Sequence, residues 1–423
     1  MVRWIGTRVY FGWIAVAMTA LILLVAAGVR SAPGVFLVPM LADGQFDRAT
    51  LSFAASIGLL LYGLAGPLAG ALIDRFGPRR TMIAGMALVI AAMLLSSRMT
   101  TTVELLLVWG ALSGIGTGLA AAVLGAAVAH RWFIARRGLV TGIFGASTSA
   151  GQLIFVLLLA WLANTIGWRT SVFALGVAAA VALVPTLLLM RDDPASIGLR
   201  PYGATHEPTI APQPVDGHSA GAVMAKALRS STFWLLALTF FVCGATSNGL
   251  IGVHFIPYAV ECGVGQVAAA GILSLMGMFN FVGTIASGWL TDRIDPRKLL
   301  CAYYGFRGLS LLILPFTVNQ TGLVIFAILF GLDYIATVPP TVALTADTFG
   351  RKHVGLVYGW IFCAHQIGAA LAAWLGGLAR GWLGDYWVTF VIAGVIALAA
   401  GLLALQIGRG QGPVAAQVEA APA

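Results

Sequence analysis

"GALIDRFGPRRTMIAG", Gly70 to Gly85, joins one long apolar run to the next, and a changed copy of it returns as "SGWLTDRIDPRKLLCAY", Ser287 to Tyr303, with Asp74 matching Asp292. A second pair keeps nearly the same offset. "FIARRGLVTGIFGA" sets Gly138 and Gly142 where "FGRKHVGLVYGWIF" sets Gly355 and Gly359. The chain therefore reads as two copies of one folding unit, which makes the whole fold a duplication.

Outward from these loops, the runs they join are too apolar for water. Of 423 residues, 60% are hydrophobic and 9% charged, which would leave far too much apolar surface on a soluble domain. Helices crossing a hydrocarbon core of roughly 30 Å need about 20 apolar residues. Twelve such spans are read at 11–41, 50–73, 81–97, 103–128, 138–163, 168–190, 232–259, 266–290, 298–317, 322–346, 355–379 and 386–407. The expected fold class is an all-α membrane protein of twelve transmembrane helices in two pseudo-symmetric six-helix bundles. The expected bundles are 1–190 and 232–409, joined by a cytoplasmic linker at 191–231 and followed by a flexible cytoplasmic tail at 410–423. His206 and His218, in the Pro- and Gly-containing linker, are expected in solvent.

Orientation follows from the 24 Lys and Arg. Arg48, Arg98, Arg169 and Arg380 fall in loops on one side, Arg30 and Arg307 within spans, and the other 18 on the side of both termini. The positive-inside rule makes that side cytoplasmic. The net charge of +9 is then a matter of orientation, and a nucleic-acid partner is not expected. The basic start, "MVRWIGTRVYFGW", runs into an apolar stretch longer than a signal-peptide core, so it reads as a retained first helix. Cys243, Cys262, Cys301 and Cys363 lack metal-ligand spacing. No G-x-x-x-x-G-K-S/T loop occurs, so ATP is not expected to bind to the chain. No cofactor, metal or catalytic residue is expected, and an enzyme is not.

The first loop resembles the G-x-L-x-D-R-x-G-x-R-R motif of the major facilitator superfamily, met by Gly70, Leu72, Asp74, Arg75, Gly77, Arg79 and Arg80. In the family this loop helps to latch the cytoplasmic gate. That implies a gating role for these residues and for Asp292 and Arg293 in the second copy. "GVRSAPGVFLVPM" in span 1 and "HRWFIARRGLVTGIFGASTSAGQ" entering span 5 further resemble the monocarboxylate transporters and the related oxalate/formate exchangers. The resemblance implies two bundles rocking about a central site lined by spans 1, 4, 7 and 10.

Arg30 aligns with a basic residue that some monocarboxylate transporters carry in helix 1. A guanidinium offers two parallel donors that match a carboxylate, and an arginine at mid-depth is costly unless it faces a wet cavity or a partner. Arg30 is accordingly the expected anion-binding group, with snorkelling to the surface or a structural pairing as the alternatives. Asn248, His254, Gln152, Asn280 and His365 are the further candidate substrate-binding residues. Asn280 and Thr284 stand where monocarboxylate transporters commonly carry an Asp and an Arg. Span 11 has His365 and Gln366 where the oxalate exchangers have a lysine, which disfavours a dicarboxylate. Asp333 and Arg307 lie at similar depth in neighbouring spans and are read either as a structural ion pair or as a proton-coupling site.

The expected activity is secondary active transport of a small organic anion, most simply proton-coupled transport of a monocarboxylate by alternating access. The alternative is export of drugs or other amphipathic molecules. The expected partners are the anion, protons and the lipid bilayer. The chain is expected to work as a monomer in a bacterial inner membrane.

Overall fold

The computed structural model describes residues 10–134, 136–204, 220–291, 293–349 and 354–408. Asp292, His206, His218 and the tail from 410 lie outside them, and the side chain of Asp74 is likewise not described. Among the described residues twelve helices are long and apolar enough to cross a bilayer. They are α1 Gly12–Ala42, α2 Arg48–Ile73, α3 Pro78–Ser96, α4 Thr102–Trp132, α5 Leu139–Ile166, α6 Trp168–Leu189, α7 Ser231–Glu261, α8 Gln266–Thr291, α9 Pro296–Phe316, α10 Gln320–Phe349, α11 Leu356–Leu383 and α12 Trp387–Ala404. Only helices can satisfy every backbone group within hydrocarbon in open, unbarrelled chains, so composition selects this class. Outward positions stay apolar, as at Trp161, Val181 and Leu188 early in the chain and Trp289, Ile313 and Leu402 late in it.

The repeated loops set the helix boundaries. Gly77 takes φ +87°, a conformation that side chains with a Cβ rarely adopt, and Pro78 opens α3 at the position where its missing N–H costs no hydrogen bond. A Cβ on Gly77 would also collide with the carboxylate of Asp192, whose Oδ1 accepts the Arg79 backbone N–H at 2.8 Å. A residue far along the chain thus supplies an acidic cap to α3. The second copy does it locally: Asp295 precedes α9 and its Oδ1 accepts the Arg297 N–H at 2.9 Å.

The chain separates into two compact units, Met1–Gln45 with Leu61–Pro214, and Phe46–Leu60 with Val215–Ala423. Within the first, α1 packs on α5, and α3 on α4 and α6; within the second, α7 packs on α11, α9 on α12 and α8 on α10. One close crossing repeats too. Gly151 of α5 seats against the Leu24 carbonyl of α1, and Gly368 of α11 against the Phe241 carbonyl of α7, with no room for a Cβ at either. Such small-residue contacts let backbones approach where lipid provides no hydrophobic drive between helices. α2 changes company along its length, its residues to Leu60 clustering with the second unit and those from Leu61 with the first.

Candidate functional site

Arg30 sits half-buried in the apolar length of α1. Its Nη1 donates to the Tyr62 hydroxyl at 3.3 Å, and its guanidinium carbon lies 5.4 Å from the centroid of that ring. No carboxylate among the described residues lies within ion-pair distance of it. A charge that deep, met by one phenol, keeps most of its donors for something else. Gln152 on α5 belongs to the same unit and is also half-buried.

The repeat explains Tyr62, which the sequence reading did not single out. The offset that carries Asp74 onto Asp292 carries Arg30 onto Asn248 and Tyr62 onto Asn280. Asn248 is half-buried within a widened π turn, Ala245–Ile251, of α7. Such turns occur often at functional positions because they disturb the regular helix ladder. The first half thus holds a cation and a phenol where the second holds two amides.

Asn280 itself is buried and engaged. Its Oδ1 accepts the Ile335 backbone N–H at 3.1 Å and the Thr284 hydroxyl at 3.2 Å. The reason lies in α10, which opens into turns between Asp333 and Val338 ahead of Pro339 and Pro340. Prolines have no N–H to offer the preceding turn, so carbonyls and amides at the break need other partners. Ser287 Oγ donates to the Ala336 carbonyl at 2.5 Å, and Arg307 Nη2 to the Asp333 and Tyr334 carbonyls at 2.7 and 3.1 Å.

Arg307 does more at the same point. Its Nε donates to Asp333 Oδ2 at 2.6 Å, and its Nη1 to the Cys243 carbonyl at 3.4 Å and Thr246 Oγ1 at 3.3 Å. Both charged side chains are essentially sealed, at 0% and 2% exposure. The equal depths read from sequence thus bring Arg307 and Asp333 together, and the structure adds the ring of carbonyls. Asp333 Oδ1 is buried with no hydrogen-bond partner among the described residues.

His254 lies elsewhere. It is fully buried, with Nε2 2.8 Å from the Ala373 carbonyl and Nδ1 3.1 Å from the Tyr386 hydroxyl. A carbonyl only accepts, so Nε2 carries the proton, and in this conformation neither nitrogen is available to a ligand. Tyr386 is 1% exposed and receives Arg48 Nη1 at 2.6 Å. Tyr258 is buried and donates to the Leu314 carbonyl at 2.9 Å. His365 stacks on Phe362 at 5.6 Å between ring centroids, with Phe240 at 4.6 Å. Its Nδ1 and both polar atoms of neighbouring Gln366 are buried without hydrogen-bond partners among the described residues.

Of the repeated-loop residues, Gly77 and Arg79 form the Asp192 cap, with Arg79 Nη2 also on the Leu187 carbonyl at 2.8 Å. Gly70 has open space around it, Arg75 lies 5.1 Å from the Phe76 ring centroid, and Arg80 is exposed. Arg293 lies 4.0 Å from the Trp289 ring centroid and donates to its carbonyl at 3.0 Å. No group of three or more His, Cys, Asp or Glu suited to a metal occurs among the described residues.

A family model described as Major Facilitator Superfamily matches residues 19–332 and 285–422. The chain belongs to that superfamily. Among relatives of this major facilitator chain, monocarboxylate transporter 13 of Bos taurus is 30% identical over 394 residues, covering 92% of this chain and 87% of the relative. An uncharacterized MFS-type transporter of Bacillus subtilis, YcxA, is 27% identical over 359 residues, 81% of this chain and 82% of its own. The fold is shared with a bacterial homologue of the lysosomal transporter Spinster, in an inward-facing and unoccupied conformation, at TM-score 0.77 and 15% identity over 96% of this chain and 98% of that one. It is shared as well with the D-xylose-proton symporter, at TM-score 0.72 and 16% identity over 94% and 97%. This major facilitator chain is a multi-pass membrane transporter related to the monocarboxylate transporters, and not an enzyme.

Proposed function

We propose that the chain is a proton-coupled transporter of small monocarboxylates, working by alternating access in a bacterial inner membrane as a monomer with both termini cytoplasmic. The observation that carries the anion reading is the contrast between its two intramembrane arginines. Arg307 is neutralised by Asp333 and saturated by carbonyls, whereas Arg30 meets only the phenol of Tyr62 among the described residues. A guanidinium left with free donors at depth favours a carboxylate, which it grips with two parallel N–H groups. The relatives named monocarboxylate transporters support the same class. Gln152 and Asn248 are the amides that would orient the rest of the substrate.

An arginine side chain does not give up its proton in proteins, so the coupling proton needs another seat. Asp333 is that seat in this proposal. A proton on Asp333 removes its charge, while Arg307 stays anchored by the carbonyls of Asp333, Tyr334 and Cys243. Anion and proton then enter together as a neutral load, so the loaded carrier reorients with the same net charge as the empty one. Export of amphipathic cations fits less well, because the deep acid is already paired.

The test is uptake of labelled mono- and dicarboxylates into proteoliposomes, with and without an inward proton gradient. The native chain is expected to accumulate monocarboxylates under the gradient, and a folded Arg30→Gln protein to lose at least ten- to a hundredfold in uptake, the loss expected for a charged hydrogen bond of about 1.5–3 kcal/mol. Carboxylate uptake unchanged by Arg30→Gln would overturn the role of Arg30. Absence of carboxylate uptake under every gradient would overturn the substrate class.

A further inference from the structure

The end of the molecule that carries Arg48 and Arg380 holds a network the transport reading does not use. Arg48 Nη2 lies 2.9 Å from Glu261 Oε1, and Arg380 Nε lies 3.0 Å from Glu261 Oε2. One carboxylate at the end of α7 is therefore shared by guanidiniums from α2 and α11. The chain of contacts continues inward from Arg48 Nη1 to the Tyr386 oxygen, from the Tyr386 hydroxyl to His254 Nδ1, and from His254 Nε2–H to the Ala373 carbonyl. Each donor and acceptor is determined. Arg48 can only donate and the carbonyl can only accept, so the Tyr386 hydroxyl donates a hydrogen bond to Nδ1 of a neutral imidazole.

This network holds the first part of α2, the stretch that clusters apart from the rest of its own helix. Ser52 is completely buried, its Oγ so close to Gly377 that no Cβ would fit there, and Phe53 lies 5.4 Å from Trp374 between ring centroids. The segment is seated by apolar contact with α11 and tied at its tip by charge.

We propose that Arg48, Glu261 and Arg380, connected through Tyr386 to His254, form a proton-sensitive latch that holds the start of α2 on the second unit and releases it when His254 takes up a proton. A proton at Nδ1 turns that nitrogen into a donor, so Tyr386 can no longer donate to it and must rotate its hydroxyl hydrogen away. The imidazolium then stands in line with Arg48 and Arg380, three cations about a single carboxylate. The other ionisable groups nearby do not offset this. Tyr258 is turned to the Leu314 carbonyl, Asp47 to the Thr50 amide and Asp385 to the Trp387 amide, while Cys262 just past α7 brings no fixed charge. A proton on Glu261 acts in the same sense, by removing the one anion. Acid thus loosens the latch and neutral pH closes it.

The inference rests on the proposed orientation, in which this end faces outward, and not on the identity of the substrate. The experiment uses the full chain in right-side-out vesicles, with Cys262→Ser and a reporter, Ser52→Cys. Alkylation of the reporter by a membrane-impermeant maleimide is timed at external pH 7.5 and 5.5, each rate divided by that of the denatured protein at the same pH to remove the thiol's own titration. The normalised rate is expected to rise on acidification, by up to about tenfold per pH unit for one linked proton. Glu261→Gln is expected to label fast at both values. His254→Gln is expected to label slowly at both, because its amide can accept from Tyr386 and donate to Ala373 without titrating. A pH-invariant reporter, or one still protected in Glu261→Gln, overturns the latch; a full pH response in His254→Gln overturns the sensor. Labelling confined to inverted vesicles overturns the orientation and moves the same comparison to the other face.

Discussion

The α3–α4 contact of the first unit and the α9–α10 contact of the second occupy equivalent places in the repeat, yet they are held together in opposite ways. The repeat carries Arg307 and Asp333 onto Val89–Ile90 and Ile115–Gly116. There, Gly116 packs on bare backbone, a Cβ on it falling 2.9 Å from the Val89 nitrogen and 3.0 Å from the Gly85 carbonyl oxygen. Each half also breaks its inner helix near this level: α4 at Ala120–Ala121 and α10 between Asp333 and Val338. The α4 break is short, with Leu124 N–H returning to the Ala121 carbonyl at 3.0 Å. The α10 break is longer: Ala336 N–H returns to the Asp333 carbonyl at 3.1 Å and Val338 N–H to the Ile335 carbonyl at 2.9 Å, and it also recruits Arg307, Asn280 and Ser287. Duplication preserved the geometry and let the chemistry diverge. Close apolar packing makes the first contact, whereas an ion pair among backbone carbonyls makes the second.

The sharpest way to break the comparison is Arg307→Met. Removing one partner leaves Asp333 as an uncompensated buried charge, expected to cost about 3–5 kcal/mol, read as a large fall in the thermal midpoint in detergent. The double variant Arg307→Met/Asp333→Leu is expected to regain the part due to charge, while losing the donors to the Asp333 and Tyr334 carbonyls. Equal losses in the single and double variants would show that the carbonyl ring, and not the charge, holds the joint.

The opposite joint is tested by Gly116→Ala, expected to cost about 1–3 kcal/mol by overpacking, with no dependence on pH. A neutral outcome would mean that α3 and α4 yield there.

The smallest effect expected is at the helix caps. Burial pushes the Asp295 carboxyl up, but the Arg297 amide and guanidinium outweigh it and hold the carboxyl below its ordinary range. Its folded-state value being depressed, the cap stabilises the protein above the unfolded value of about 3.9, and the gain is lost as pH falls through the folded value. Asp295→Ala is expected to cost about 1 kcal/mol at neutral pH, the deficit vanishing in acid. A matching Asp192→Ala scan asks whether the distant cap on α3 is worth as much as the local one on α9; chemical denaturation across pH 3–7 reads both.

Much of this was legible in the residues themselves. Apolar run length located the twelve helices to within a few residues, and the paired loops at Asp74 and Asp292 showed the duplication. The similar depths of Arg307 and Asp333 in adjacent spans led to their pairing, since two opposite charges in lipid have few other stable arrangements. Tyr62 was hidden because a tyrosine in an apolar run has no signature of its own; only the repeat offset, applied to Arg30, points to it. Asn280 read as a substrate ligand because an amide in a membrane span looks the same whether it serves a ligand or an unsatisfied backbone amide. His254 was placed on a cavity-lining helix, but helix number says nothing of which face the imidazole takes.

What the sequence alone determined is therefore the solvent, the helix count, the duplication and the family, all of which depend on composition and on the order of residues along the chain. Tertiary structure decided which polar groups are already engaged. Asp192 became the cap of α3, Glu261 became the shared anion of Arg48 and Arg380, and Arg307 became the keystone of a proline-broken helix. Each of those outcomes depends on distances between residues far apart in the chain. Hydrogen bonds and ion pairs need an approach of about 3 Å, a scale that residue order does not specify.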